Sequence, residues 1–237
     1  MKKLAYALVL TGLVGVPTLA VAAEESPHSI TGNLSLVSDY AFRGISQTLE
    51  APAIQGGFDY AHASGLYLGT WGSNVSENLY DSNMELDIYG GYSHAFNDDF
   101  SINVGGLYYH YPNAQTFDPD TFEVYAGATW KWFNAKLSYA TTDLFGVADS
   151  EGSTYAELNF NYPLPMDIGF TAHYGWTEVD GAGNSGLDYE DWKIGLTKSF
   201  GGFNFGLAYT DTDLPAFAPK GDDINDGRLI LSVGKTF

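Results

Sequence analysis

The chain has 237 residues, no cysteine and a formal net charge of −19 at neutral pH. That charge repels phosphate backbones and excludes nucleic acid as a partner, and the missing cysteine excludes a disulfide framework. Charged residues are only 16% of the chain, whereas glycine (28 residues) and aromatics (16%) are abundant, which is an all-β composition.

Residues 1–23 have the layout of a cleaved secretory signal peptide. Lys2 and Lys3 precede an apolar run from Leu4 to Val16, Pro17 follows, and small residues lead to cleavage after Ala22 or Ala23. An uncleaved membrane anchor is the alternative, which Gly12, Gly15 and Pro17 disfavour. Removing the two lysines leaves a mature net charge of −21 on residues 24–237, a length that suits one domain.

The first mature segment, "ITGNLSLVSDYAF", alternates with period two. Ile30, Leu34, Leu36, Tyr40 and Phe42 fall on one face, and Thr31, Asn33, Ser35, Val37, Asp39 and then Arg43 on the other. Further strands are predicted near 53–62, 66–75, 84–96, 100–111, 121–132, 134–142, 153–162, 166–176, 189–198, 203–210 and 227–237. In 66–75 the faces are ambiguous, because Leu66 and Leu68 oppose Tyr67 and Trp71. The connections alternate between long polar loops and short turns such as "ASG", "NDD", "FN", "PLP" and "GG". This predicts a transmembrane up-and-down antiparallel β-barrel of about 12 strands, apolar face to lipid and polar face to the lumen. A soluble barrel with its apolar face inward has the same periodicity. Aromatics at the strand ends (Tyr40, Phe42, Trp130, Trp132, Trp176) favour membrane girdles instead. The chain ends "LILSVGKTF", and a last strand closed by Phe237 looks like the assembly signal of bacterial outer-membrane barrels.

"SDYAFRGISQT" followed by "PAIQGGFDYAHASGLYLGTWGSNV" resembles the signature of the proteobacterial TorF family of porins. Ser38, Asp39, Tyr40, Arg43, Gly44, Ser46, Gln47, Gln55, Gly56, Gly57, Asp59, Tyr60 and Trp71 carry the resemblance. It implies a Gram-negative outer-membrane location and a porin role. The partners expected are outer-membrane lipid, the β-barrel assembly machinery and small solutes. It implies no catalytic residue, and no cofactor or metal is expected.

Lumen parity collects the acids Asp39, Asp59, Glu85, Asp87, Glu123, Glu157, Asp167 and Asp191, and the bases Arg43, Lys131, Lys136, Lys193 and Arg228. The six long loops add sixteen carboxylates and one lysine, Lys220. The expected channel is therefore mildly cation-preferring. Arg43 should close the first strand and Arg228 open the last, so that the two meet at the mouth with Asp39 and then Asp226 as counter-ions. A plugged structural or adhesive barrel is the alternative function. A barrel lipase needs an activated Ser beside a His. His62, His94 and His110 have exterior parity, His28 precedes the barrel, and His173 reads as a polar liner of the lumen.

Overall fold

The computed structural model describes residues 26–214 and 224–237. The signal segment lies outside them, as does the middle of the last long loop with Lys220. Twelve strands close into an antiparallel barrel. In chain order they are β1 (His28–Val37), β4 (Ala53–His62), β5 (Leu66–Asn74), β6 (Met84–Ala95), β7 (Phe100–His110), β8 (Thr121–Trp130), β9 (Phe133–Ala140), β10 (Thr154–Leu164), β11 (Ile168–Glu178), β12 (Tyr189–Phe200), β13 (Phe203–Thr212) and β14 (Arg228–Thr236). Two short strands, β2 (Ala41–Phe42) and β3 (Ile45–Ser46), form a separate hairpin. One helical turn, α1 (Glu77–Tyr80), lies in a long loop with Ser76 as its N-cap.

The alternation in the sequence becomes the two faces of the wall. Ile30, Leu34, Phe58, Leu137, Leu207 and Leu231 point outward and are exposed, while Gln55, Glu85, Asp87, Glu123 and Asp191 point inward and are buried. An apolar exterior around a polar interior inverts a water-soluble protein, and lipid is the solvent that stabilises it. The ambiguous strand is settled: Leu66 and Leu68 are each 57% exposed on the outside, and Tyr67 and Trp71 face inward. Exterior aromatics gather at both ends, with Phe100, Trp130, Trp132 and Tyr162 near the short turns and Tyr108, Trp176 and Trp192 near the long loops.

The structure departs from the sequence pattern at several positions. Phe133 and Asn134 belong to β9, and the turn before it is Lys131–Trp132. Lys131 therefore lies in a turn, where it faces Asp99 at 3.7 Å, and Asp167 lies in the Pro165–Asp167 turn, so neither lines the wall. His28 is the first residue of β1 rather than a residue before the barrel.

The largest correction concerns the first strand, which leaves the wall after Val37. Ser38 makes the last rung: its N–H donates to the Leu231 carbonyl at 2.8 Å, and its Oγ accepts from the Leu231 N–H at 2.9 Å. The chain then turns into the lumen. Tyr40 and Phe42, expected outside, are inside: Tyr40 is buried against Trp71, and Phe42 packs edge-on against Tyr109 and Phe145. A strand inside a bore keeps the period of two, so alternation alone could not separate it from the wall.

At the barrel seam Asn33–Val37 lie opposite Thr236–Ser232. Phe237 extends this ladder, donating its N–H to the Gly32 carbonyl at 2.9 Å and accepting from the Gly32 N–H at 2.7 Å. Its ring lies over Gly32, where a Cβ would meet it at 2.7 Å.

Candidate functional site: the inner hairpin and the lumen

The hairpin turns on Arg43 and Gly44, with φ of 47° and 80°. Positive φ at both central residues is what a two-residue type I′ turn requires, and glycine or asparagine normally supplies it. Gly44 is needed twice over, because a Cβ there would sit 2.9 Å from the Cβ atoms of Asp191 and Thr212 on the wall. Arg43 is the strained member, held left-handed at a cost of roughly 1–3 kcal/mol.

What compensates is the contact of its guanidinium. Nη2 donates to both carboxylate oxygens of Glu123, each at 2.8 Å, and both side chains are almost fully buried. The guanidinium carbon lies 4.1 Å from the Tyr155 ring centroid and 4.8 Å from that of Phe42. The base of the hairpin is fixed separately. Asp39 accepts from Ser46 Oγ at 2.6 Å and Thr48 Oγ1 at 2.9 Å, and its other oxygen takes Arg228 Nη1 at 3.2 Å. Arg228 also faces Glu50 at 3.6 Å and donates from Nε to the Asp226 carbonyl.

The two arginines therefore do not share a counter-ion at the mouth, as the sequence suggested. Asp39 serves Arg228 alone, and Asp226 contributes its backbone carbonyl. Arg43 sits at the tip of the inner hairpin, clamped to β8, which is six strands from β14 either way round the barrel. One arginine holds the hairpin base to the seam and the other holds its tip to the far wall.

The remaining charged residues form a belt around the hairpin. Glu85 accepts from Tyr40 Oη at 3.0 Å, and Asp87 is buried two residues along the same strand. Lys136 meets Glu157 at 2.7 Å. Asp191 takes Tyr155 Oη and His173 Nε2, both at 3.0 Å, and His173 Nδ1 lies 2.7 Å from Asn159 Oδ1. A cavity of about 50 Å³ remains between the hairpin tip and Lys136, His173 and Lys193. Asp59 stands apart, toward the short turns, where Tyr89 donates to it at 2.5 Å. Among the described residues no group of three or more His, Cys, Asp or Glu is placed to hold a metal ion.

Toward the short turns the lumen changes character. Thr31, Asn33, Asn134, Asn161, Asn204 and Ser232 line it and are partly accessible, with Asp59 opposite Thr31. Tyrosines project over glycines on neighbouring strands: the Tyr89 ring lies over Gly69, and the Tyr67 hydroxyl over Gly91. Tyr67 Oη donates to Asn103 at 2.9 Å and lies 2.6 Å from Tyr125 Oη. The interior is thus a hydrophilic vestibule leading to a charged belt filled by the hairpin. Of the carboxylates with lumen parity, Asp59, Glu85, Asp87, Glu123, Glu157 and Asp191 lie on the inner face of wall strands, whereas Asp39 has left the wall and Asp167 lies in a turn. Sequence reasoning missed Phe145 and Tyr155 as partners of Arg43, and the Lys136–Glu157 pair as a unit.

At the long-loop end, Asp81 joins two loops. Its carboxylate accepts from the backbone N–H groups of Gln115 (2.6 Å) and Thr116 (2.7 Å), which hold its pKa below the ordinary value.

A closed antiparallel barrel of twelve strands with a polar interior is the porin-like class of fold. Solved structures that share it include the KdgM porin in complex with disordered oligogalacturonate (TM-score 0.56, 10% identity, covering 88% of this chain and 98% of that one) and the NanC porin (TM-score 0.55, 11% identity, with the same coverage). The chain itself matches, over residues 21–237, the family described as Bacterial protein of unknown function (Gcw_chp), and it belongs to that family. No curated protein matches it.

Proposed function

We propose that the protein is a Gram-negative outer-membrane channel for small hydrophilic solutes, mildly cation-preferring and without enzymatic activity. The observation that carries this reading is the hydrophilic lumen inside an apolar shell, with an excess of acid. Inward-facing Asp39, Asp59, Glu85, Asp87, Glu123, Glu157 and Asp191 stand against Arg43, Lys136, Lys193 and Arg228. Such a bore lowers the energy of cations and raises that of anions.

The porin-like fold, the TorF resemblance of residues 38–75 and the signal-peptide layout of residues 1–23 support the location. Surrounding lipid and the assembly machinery that reads Phe237 are the partners that follow. The oligogalacturonate of the KdgM structure is a polyanion and would be repelled by this lumen, so that ligand is not carried over. The groups facing His173 are Tyr155, Asn159 and Asp191, with the Glu157 carboxylate at 3.7 Å. None is a serine, and the serine that does meet a histidine, Ser64 with Oγ 2.8 Å from His62 Nδ1, lies in the exposed short turn after β4, away from this cluster.

The inner hairpin favours one second reading, a structural or adhesive barrel whose lumen stays filled. Reversal potential across a salt gradient in a planar bilayer separates the two. A cation-selective potential is expected. It should be largest at low salt, because exposed loop charges are screened beyond ~8–10 Å at physiological ionic strength. Anion selectivity would reject the acid-excess argument, and absence of any current would favour the filled barrel.

A further inference from the structure

The Arg43 guanidinium is held in the manner of a bound ligand. Its partners on the barrel belong to elements other than its own: Glu123 on β8, Tyr155 on β10, and Phe145 in the loop between β9 and β10, 6.0 Å from the guanidinium carbon. Tyr109 on β7 supplies a hydroxyl 3.4 Å from the same carboxylate. Wall and loop therefore provide a nearly dry carboxylate beside aromatic faces, and the hairpin provides the cation. Lys136, on the adjacent strand four residues out of register with Glu123, is paired instead with Glu157 at 2.7 Å.

A buried carboxylate flanked by aromatic rings suits a guanidinium better than an ammonium. The guanidinium is planar and weakly hydrated, and it can stack while it donates. An ammonium is compact and keeps its water more strongly. The attachment of Arg43 is also local. The hairpin base is fixed by Asp39 and Arg228, so withdrawal of the tip breaks the Arg43 contacts and lifts Phe42 off Tyr109 and Phe145 while the base stays anchored.

We propose that Glu123, Tyr155 and Phe145 form a guanidinium site that Arg43 fills from within, and that guanidinium-bearing solutes are the class that competes with it. This rests on the channel reading only for the route to the site. Occupation by a solute releases the hairpin tip, so the site couples recognition of the solute to opening of the belt.

The test is calorimetric titration of the whole refolded barrel in detergent with methylguanidinium. Arg43→Ala should bind at least tenfold more tightly than wild type, because the site is vacated. Adding Glu123→Gln to that variant should weaken binding at least tenfold. Equal affinity in wild type and Arg43→Ala, or in the single and double variants, would overturn the proposal. Should Arg43→Ala fail to fold, the wild-type protein still decides. Methylguanidinium should raise single-channel open probability several-fold over equimolar methylammonium, and equal responses would overturn the proposal. Binding is read without current, so titration heat from a barrel that does not conduct would uphold the site and reject the channel.

Discussion

Arg43 shows how a single residue can hold a strained conformation. A left-handed arginine is unfavourable by itself, and a buried carboxylate without a cation is worse. Breaking such a pair from one side costs about 3–5 kcal/mol, because the remaining charge stays buried. The Glu123 contact and the Tyr155 stack together outweigh the backbone strain, so the turn and the ion pair stabilise each other. Asp81 makes a simpler case at the surface, with two backbone N–H groups directed at its carboxylate. A depressed pKa means the loop clasp is present at neutral pH and above the ordinary carboxylate range. It is lost only as pH falls through the folded value. The Gln115 and Thr116 amide resonances should therefore titrate with a midpoint below ~3.9, the ordinary Asp value. A midpoint at or above it, or titration that persists in Asp81→Asn, would contradict this account.

Among the elements, the wall strands were legible in the sequence and the hairpin was not. Period two fixed the inward face of β6, β8 and β10, because lipid outside and polar groups inside leave each side chain one choice. The same period runs on through Asp39–Phe42, and a strand inside a lumen obeys it as well as one in the wall. The clue that existed was chemical: Ser46 and Thr48 could serve Asp39, and Arg43–Gly44 could turn. Arg-Gly is a weak turn signal beside Asn-Gly, so the pattern read as one long strand. The seam was more legible, because Phe237 ends an apolar alternating strand. Phe237 makes two backbone bonds to Gly32 and covers it with its ring. Deleting Phe237 removes both bonds and the ring at the closing strand pair. The outer-membrane level should drop several-fold, against little change for Leu187→Ala, an exposed residue of the long loop before β12. Equal levels of the two variants would remove any special role of the terminal residue.

At the scale of the whole molecule, filling the lumen competes with keeping it open. The vestibule near the short turns keeps partly accessible amides and hydroxyls, whereas the belt is occupied by a hairpin tied to opposite walls through Arg228 and Arg43. Side chains fill the bore of a barrel of ~8 strands, and barrels of ~16–18 strands leave an aqueous channel. At twelve strands the wall alone leaves room, and the hairpin takes it. The candidate site was legible as a list of charges. Its pairing was not, because that depends on where residues 38–50 fold. The measurement that tests the central claim most directly is single-channel conductance of wild type against a variant with Ala41–Ser46 replaced by two glycines. The account predicts a conductance several-fold larger in the variant, with cation preference retained. Equal conductance in the two proteins would contradict it.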